Sequence, residues 1–417
     1  MNTPKTVSRV ALALTLSVGV VGAGFVMAPV AVMAASKEKA PTVSPAVGKP
    51  LQEAQNLMKA GKFKEAAAKA KEAVDLPNKS AFETYMANEI LGGAYLKAGD
   101  YANAAKALEA SVDTGEVKGE DKTQHLKMLA QIYYNVKNYS KTIELGGQYL
   151  KEQAGDTDIL LVVAQSHYLQ KDFKKASDSL RALIRAQEAS GKPAKEDTYS
   201  LLMSAEFEQK NDAGVQEVLM TLVQKYPKPQ YTKDLISMYE RELKPASTKT
   251  SLDIAVVKFN AGIFTTAQEY TEMTELALQD GLPGLAKKVM EKGVAAGVLG
   301  QGAQKDREAR LLNMANTQAD TDQKNLEKGE AEAQKQKTGE ALVKYGEAYW
   351  SYGMYDKAIA ATEAGIAKGV ANMDDAKLRL GIANKAAGKS AQANEAFKGI
   401  APGSVPAKIA NLWKVVK

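Results

Sequence analysis

The sequence predicts an all-α solenoid of about ten antiparallel helix pairs with a C-terminal capping helix. Three observations lead to this prediction. At 417 residues the chain is too long for one ordinary hydrophobic core. Residues that favour helices, such as Ala, Leu, Lys and Glu, dominate it. One local phrase also recurs, in which an apolar helix, a Gly or Asn turn, an aromatic residue two positions on and an alanine-rich helix follow one another.

Residues 1–35 are expected to be a Sec-type signal peptide rather than part of the fold. Lys5 and Arg9 give the segment a positive start, and an apolar stretch follows over residues 10–27. Small residues up to Ala35 then offer a cleavage site. An uncleaved anchor in the inner membrane is the alternative, because the apolar stretch approaches the length that spans a bilayer.

The repeat forms the body of the chain and starts after a predicted linker over residues 36–50. That linker contains Pro41 and Pro45 and has little apolar content. The recurring turns fall at residues 61, 99, 137, 171, 211, 281, 353 and 388. Most neighbouring turns are roughly 34–40 residues apart, which is near the period of a helix-pair repeat.

Two gaps between turns are about twice that period, so each is predicted to hide a degenerate helix pair. The hidden turns are expected near Pro245-Ala246 and Thr317-Gln318. Residues 320–337 are polar almost all round, which is typical of a marginal or solvent-bridging helix. The predicted segments after the linker are the N-terminal part of the array (51–300), a degenerate polar helix pair and candidate hinge (301–338), the C-terminal part of the array (339–404) and the capping helix (405–417).

The repeats resemble those of the tetratricopeptide family over nearly all of the chain that follows the linker. The second unit carries the family pattern in Leu91, Gly92, Tyr95, Gly99, Tyr101, Ala104 and Leu108. The seventh matched unit carries it in Tyr345, Gly346, Tyr349, Gly353, Tyr355 and Ala358. The resemblance implies a right-handed superhelix whose concave groove binds peptide segments or chain termini of other proteins.

The first helix of each pair would line the concave wall of such a solenoid. Counting from the turns places amides, tyrosines and one tryptophan there, a mixture that suits an extended or helical peptide. The candidate peptide-binding groove consists of Gln131, Tyr134, Asn135, Leu161, Gln165, Tyr168, Glu347 and Trp350. For its aromatic members the alternative is packing between helices, which is the commoner role of aromatic residues at helical spacing.

Few residues could carry catalysis, so no enzyme activity, cofactor or metal site is predicted. The chain has no cysteine and only two histidines, which leaves little for thiol chemistry or a metal site. His125 is expected to face solvent, and His167 to pack between helices. Residues 293–302 are rich in glycine but lack the Gly-Lys-Ser/Thr pairing of a phosphate-binding loop. Lys and Arg total 55 against 49 Asp and Glu with no basic stripe, so no nucleic-acid partner is expected.

The leading hypothesis is an exported, periplasmic scaffold or adaptor whose partners are envelope or membrane-anchored proteins. The repeats resemble those of periplasmic tetratricopeptide proteins associated with TonB- or Tol-type energy transduction. Three alternatives stay open: a helper for polysaccharide export or outer-membrane assembly, a structural spacer without a groove ligand, and an enzyme with a degenerate insertion over residues 293–337. After signal cleavage no later stretch is apolar enough to insert into a membrane. The oligomeric state is left open.

Overall fold

The computed structural model describes residues 42–244 and 246–416, so the predicted signal peptide lies outside the described residues. Within them the chain forms twenty α-helices and one short 3-10 helix, with no β-strand. The predicted all-α helical-repeat fold is therefore confirmed. The chain divides into two compact units, unit 1 ending at Gly214 and unit 2 beginning at Val215.

From α1 to α9, and again from α11 to α20, helices that are adjacent in the sequence pack on each other. The helices of unit 1 are α1 (Pro45–Lys59), α2 (Phe63–Asp75), α3 (Ala81–Ala98), α4 (Tyr101–Asp113), α5 (Gly119–Asn135), α6 (Tyr139–Glu152), α7 (Thr157–Leu169), α8 (Phe173–Ala189) and α9 (Glu196–Glu208). α10 (Asp212–Lys225) begins in unit 1 and continues into unit 2. The remaining helices are α11 (Pro229–Glu242), α12 (Thr248–Asn260), α13 (Ala267–Gln279), α14 (Pro283–Ala295), α15 (Lys305–Ala333), α16 (Glu340–Ser351), α17 (Tyr355–Lys368), α18 (Met373–Ala386), α19 (Ser390–Lys398) and α20 (Val405–Val415), with the 3-10 helix at Gly302–Gln304.

The recurring sequence phrase marks the turn inside each pair. One residue at the turn has a left-handed backbone, with φ of 78° at Gly99 and 63° at Lys171. The residue after it caps the second helix, because the Asp100 and Asp172 carboxylates each accept a backbone N–H from three residues further on. The turn thus ends one helix and starts the next within a few residues.

A pair of aromatic rings closes each of two such turns in unit 1. The ring three residues before the left-handed residue packs against the ring two residues after it. Tyr134 and Tyr139 have ring centroids 6.0 Å apart, and Tyr168 and Phe173 have theirs 5.3 Å apart. Tilted and edge-on contacts of this kind are favourable between aromatic rings. The aromatic position after the turn therefore has a packing role.

The same turn recurs in unit 2 between α12 and α13, where the sequence analysis did not recognise it. Gly262 has φ of 66°, and the rings of Phe259 and Phe264 on either side of it lie 5.9 Å apart. The turn escaped notice because it falls outside the regular spacing of the others.

The two hidden turns that the sequence predicts have different outcomes. α11 ends at Glu242 and α12 begins at Thr248, so the chain does turn near residues 245–246, although residue 245 itself lies outside the described residues. The second turn, expected near residues 317–318, is wrong. α15 runs unbroken through that point, so the predicted helix pair over residues 301–338 is largely one long helix.

A narrow apolar stripe explains why α15 continues. Leu311, Ala315, Ala319 and Leu326 are buried at helical spacing, while most of the other side chains are exposed. Thr317 does not break the helix, since its hydroxyl donates to the carbonyl oxygen four residues earlier at 2.9 Å. The polar composition thus reflects an exposed helix rather than a turn.

The predicted linker also needs correction, because α1 begins at Pro45 and not after residue 50. Proline is favourable at the first position of a helix, where the backbone N–H has no partner inside the helix. The Ser44 N–H just before it donates to Glu83 Oε1 on α3 at 2.8 Å. The last part of the predicted linker is therefore the first helix of the repeat array.

Candidate functional site

Six of the predicted groove residues lie on two neighbouring helices of unit 1. α5 and α7 are each the first helix of a pair, here called inner helices, and they pack against each other. We call the surface that they carry the α5–α7 face. It consists of Gln131, Tyr134 and Asn135 on α5 and Leu161, Gln165 and Tyr168 on α7.

Tyr134 belongs to the wall of this face and is not an accessible anchor. Only 4% of the residue is exposed, and its ring packs on Tyr139. Its hydroxyl donates to Gln165 Oε1 at 2.7 Å, which links α5 to α7. Burial raises the pKa of Tyr134 to about 12, so the hydroxyl keeps its proton and stays a donor. Tyr134 therefore packs between helices, which was the alternative role for the aromatic residues of the predicted groove.

Other side chains of the face remain accessible. Asn135 is exposed, and Gln131, Leu161 and Tyr168 are half-buried. Leu169, the last residue of α7, is 39% exposed, which is unusual for a large apolar side chain in this protein. The accessible surface therefore combines amides with apolar and aromatic groups. Its binding role stays a prediction.

Phe207 on α9 is an exposed aromatic residue of unit 1 that was not among the predicted groove residues. It lies three residues before the left-handed Lys210, so its place in the repeat equals that of Tyr134 and Tyr168. The position of its ring partner holds Asp212, where the turns at Lys137 and Lys171 have Tyr139 and Phe173. Phe207 is 49% exposed as a result. Counting positions back from the turn would have found it.

Lys127 on α5 forms an ion pair within the protein. Lys127 Nζ lies 2.7 Å from Asp156 Oδ2, and the Tyr149 hydroxyl donates to the same oxygen at 2.7 Å. Burial alone would raise the pKa of Asp156, but the hydrogen bonds from Lys127 and Tyr149 hold it below its ordinary value. This charge positions the start of α7 and does not form a clamp for a ligand carboxylate.

Glu347, the seventh predicted residue, lies inside unit 2. On α16, its Oε1 is 2.7 Å from Arg379 Nε and 3.3 Å from Lys249 Nζ. Arg379 on α18 also pairs with both carboxylate oxygens of Asp253 on α12, one of them at 2.7 Å, and with Asp375 at 3.0 Å. Burial would lower the pKa of Arg379, but the charges of Asp253 and Glu347 hold it well above its ordinary value. We call these five side chains the ion cluster.

Trp350, the eighth predicted residue, lines a cavity of about 30 Å³ in unit 2 together with Trp413 of α20. α20 packs against α12 and α18, so it covers this side of the inner helices. Glu347 and Trp350 therefore lie beneath other parts of unit 2, which differs from the open wall that the sequence predicts. The prediction assumed contacts between neighbouring pairs only, whereas the ion cluster joins helices far apart in the chain.

Both histidines are at least partly buried and contact other groups of the protein. His125 differs from the expected solvent-facing residue, since its Nε2 lies 3.1 Å from Glu89 Oε1 and its Nδ1 lies 2.7 Å from the Asp121 carbonyl oxygen. Burial alone would lower the pKa of His125, but the hydrogen bond with Glu89 raises it above its ordinary value. His167 is buried, in keeping with the expected packing role, and burial lowers its pKa. The described residues contain no cluster of acidic or histidine side chains that could hold a metal ion.

Comparisons with known proteins bear on the repeat. The tetratricopeptide-repeat family model matches residues 51–117. No curated protein matches the chain. Among solved structures the chain is similar to YrrB, described as a tetratricopeptide-repeat protein with an unusual peptide-binding site, at 14% identity over 42% of this chain and 83% of that one, with a TM-score of 0.32.

Two further solved structures match this chain with sequence identities and TM-scores close to those of YrrB. A tetratricopeptide-repeat protein from Parabacteroides merdae is 14% identical over 65% of this chain and 99% of that one, with a TM-score of 0.32. MamA from Desulfovibrio magneticus is 10% identical over 44% and 96%, with a TM-score of 0.31. None of the helices in the described part of the chain combines the length and apolarity needed to cross a membrane. The family match shows tetratricopeptide-repeat sequence over residues 51–117, and the left-handed turns of the fold recur on both sides of that stretch.

Proposed function

We propose that this chain is a protein-interaction scaffold exported to the periplasm, where the α5–α7 face binds peptide segments of envelope or membrane-anchored proteins. One observation carries the proposal: accessible amides and a half-buried aromatic ring lie together on two inner helices that are fixed to each other. The hydrogen bond of 2.7 Å between Tyr134 and Gln165 provides that fixing.

The chemistry of the face suits an extended peptide. Such a peptide needs partners for its backbone N–H and C=O groups and places for alternate side chains. Gln131 and Asn135 lie one helical turn apart, and each amide can both donate and accept. Tyr168 is held by Phe173 and offers a flat apolar surface that loses little conformational entropy on binding. Leu161 and Leu169 extend that apolar surface along α7.

Export to the periplasm rests on the sequence of residues 1–35. There the adaptor would hold a segment of a membrane-anchored partner, as in a TonB- or Tol-type complex. Cell fractionation with N-terminal sequencing tests this part: the mature chain should be periplasmic and begin near residue 36. Recovery of the uncleaved chain in the inner membrane would favour the anchored alternative and leave the peptide-binding part of the proposal standing.

The binding role is tested by photo-crosslinking in the native cell. A crosslinking residue at Tyr168 should capture a recurrent envelope protein, while the same residue at Lys174, on the exposed side of α8, should not. Equal capture at both positions, or none at Tyr168 in a folded and exported protein, would contradict the proposal. Capture of a polysaccharide-export or outer-membrane-assembly protein would keep the binding face and replace the pathway.

A further inference from the structure

α20, the last helix that the structure describes, lies on other helices of unit 2 in the way that a bound ligand helix would. It packs on α12 and α18. Its apolar residues Ile409, Leu412 and Trp413 are buried, with Trp413 only 7% exposed. This i, i+3, i+4 spacing is the pattern by which an amphipathic helix occupies an apolar groove.

Polar contacts hold both ends of α20. Lys408 Nζ near its start lies 2.8 Å from Glu242 Oε1 of α11. Near its end, the Lys385 ammonium group of α18 donates to the carbonyl oxygens of Trp413 and Val416, the second at 2.6 Å. A cation at the last carbonyls of a helix is favourable because those groups have no partner inside the helix. The groove therefore recognises a basic residue and a helix end as well as an apolar stripe.

The fit of α20 in this groove is incomplete. The cavity between Trp350 and Trp413 has a volume of about 30 Å³. The indole N–H groups of both tryptophans are buried, and no group among the described residues accepts a hydrogen bond from either. Buried donors without a protein partner weaken a contact. Burial also lowers the pKa of Lys385, so its charged form is held less favourably than in water.

We propose that this groove is a helix-binding site that α20 fills within the same chain, and that an amphipathic helix of a partner protein displaces α20 from it. The partner helix carries a basic residue followed by an Ile-x-x-Leu-Trp stripe, the chemistry of residues 408–413. The inference concerns unit 2 alone and does not rest on the α5–α7 face.

Charge and spacing identify the occupant as a helix with these features. Glu242 is nearly half exposed at the edge of the groove and selects a positive residue at the start of the helix. The apolar wall, which includes Leu252, Val256 and Ile382, meets side chains at helical spacing, and an extended peptide would place every second residue away from it. A partner helix that fills the cavity more completely than α20 would bind in its place.

The chain contains two tryptophans, and both line this cavity, so its intrinsic fluorescence reports the position of α20. The probe is a synthetic peptide of residues 404–417 carrying Trp413→Phe, which contributes no tryptophan emission. Added to the full-length protein, it should cause a saturable red shift as Trp413 of the protein enters water. At about ten times its dissociation constant for the open groove, it should speed amide exchange of α20 by about tenfold. The same peptide with Leu412→Asp is the matched control and should do neither.

Several outcomes would overturn the proposal. No saturable fluorescence change and no faster exchange would mean that α20 is a permanent part of the core. Peptide binding without faster exchange of α20 would mean that the peptide binds elsewhere. Unaltered peptide binding by a folded Trp350→Ala protein would remove the groove from the explanation. A mass of two chains per particle would make the occupant the α20 of a second copy rather than a partner helix.

Discussion

The inner helices of the two units share one repeat phrase but present different surfaces. In unit 1, α5 and α7 leave Asn135 and Leu169 open to a partner. In unit 2, Arg379 ties α18 to α12 and α16, and α20 covers the same side. The repeat phrase therefore determines how two helices of a pair pack, and it leaves the use of the inner face to residues outside the phrase.

Repeat position alone does not determine whether an inner helix carries an accessible surface. In unit 1 the inner helices make contacts with sequence neighbours, and of the residues placed by counting from the turn Asn135 is exposed whereas Tyr134 is buried. In unit 2 the contact between Asp253 and Arg379 spans 126 positions, and the same counting places Glu347 where it is buried. A repeat position shows which side a residue is on, and only the tertiary contacts show whether that side is open.

Arg379→Ala is expected to have the largest effect on this comparison, because it leaves Asp253 and Glu347 buried without their main partner. Removing one member of a buried charge group costs about 3–5 kcal/mol. Urea unfolding followed by tryptophan fluorescence measures it, since both tryptophans lie in unit 2. Lys335→Ala, which breaks an exposed pair with Glu332 in unit 2, is the control and should cost less than about 1 kcal/mol. An equally small effect of Arg379→Ala would show that the ion cluster does not stabilise unit 2.

Gly92→Ala tests whether unit 1 depends on close helix crossing instead. A Cβ at Gly92 would lie 2.5 Å from Leu108 Cγ, whereas one at Gly93 would meet only Met58 Cε, at 3.6 Å. We expect Gly92→Ala to destabilise unit 1 by about 1–3 kcal/mol through overpacking. Gly93→Ala should be neutral or stabilise by up to about 1 kcal/mol, because alanine favours helix. Circular dichroism during unfolding measures both, and equal effects would disprove the role of the crossing.

Lys171→Gly is expected to stabilise unit 1 by about 1 kcal/mol, because glycine adopts a left-handed backbone without the steric strain of a side chain. Lys171 has φ of 63°, in a turn where α3 and α4 already use glycine. The matched control is Lys174→Gly inside α8, which should instead destabilise by about 1 kcal/mol. Denaturant midpoints of the two variants decide the matter. A loss of stability in both would mean that the Lys171 side chain contributes more than the backbone strain costs.

The smallest expected effect is a pH dependence of unit 1 from His125. Its pKa is raised in the folded state, so the protonated ring contributes stability below the unfolded value of 6.5, and that stability is lost as pH rises through the folded pKa. In the protonated ring both N–H groups have acceptors, Glu89 and the Asp121 carbonyl oxygen. Unfolding curves across this pH range should show a decline that His125→Gln removes. A flat profile in the wild type would contradict the assignment.

Much of the fold could be predicted because the turn chemistry is local. A left-handed residue, an Asp or Asn cap and an aromatic residue lie within a few positions, so the turns of unit 1 are visible in the sequence. The turn at Gly262 has the same glycine and aromatic residue but falls off the expected spacing. A turn inside α15 was predicted because the gap between the flanking turns is about twice the repeat period, but one long helix occupies much of that gap.

The candidate site could be predicted only in part, for a physical reason. Residues on α5 and α7 follow from repeat position, and the structure brings them together. Phe207 was missed because its exposure is linked to the lack of an aromatic ring at Asp212. A search for recurring residues does not detect a residue that is missing from the pattern. The burial of Glu347 in unit 2 depends on ion pairs between residues far apart in the chain. The periodicity of the sequence does not predict such pairs.

The ion cluster also has a consequence for the order in which the protein folds. Contacts in unit 1 are mostly between neighbouring helices, so its pairs can form one after another as the chain is made. Asp253 must wait for Arg379, 126 positions later, and then for α20. Until then the inner side of α12 is exposed, with apolar residues such as Val256 open to wrong partners. Unit 2 is therefore the late and vulnerable part of synthesis, and the folding of α20 onto α12 ends this exposure.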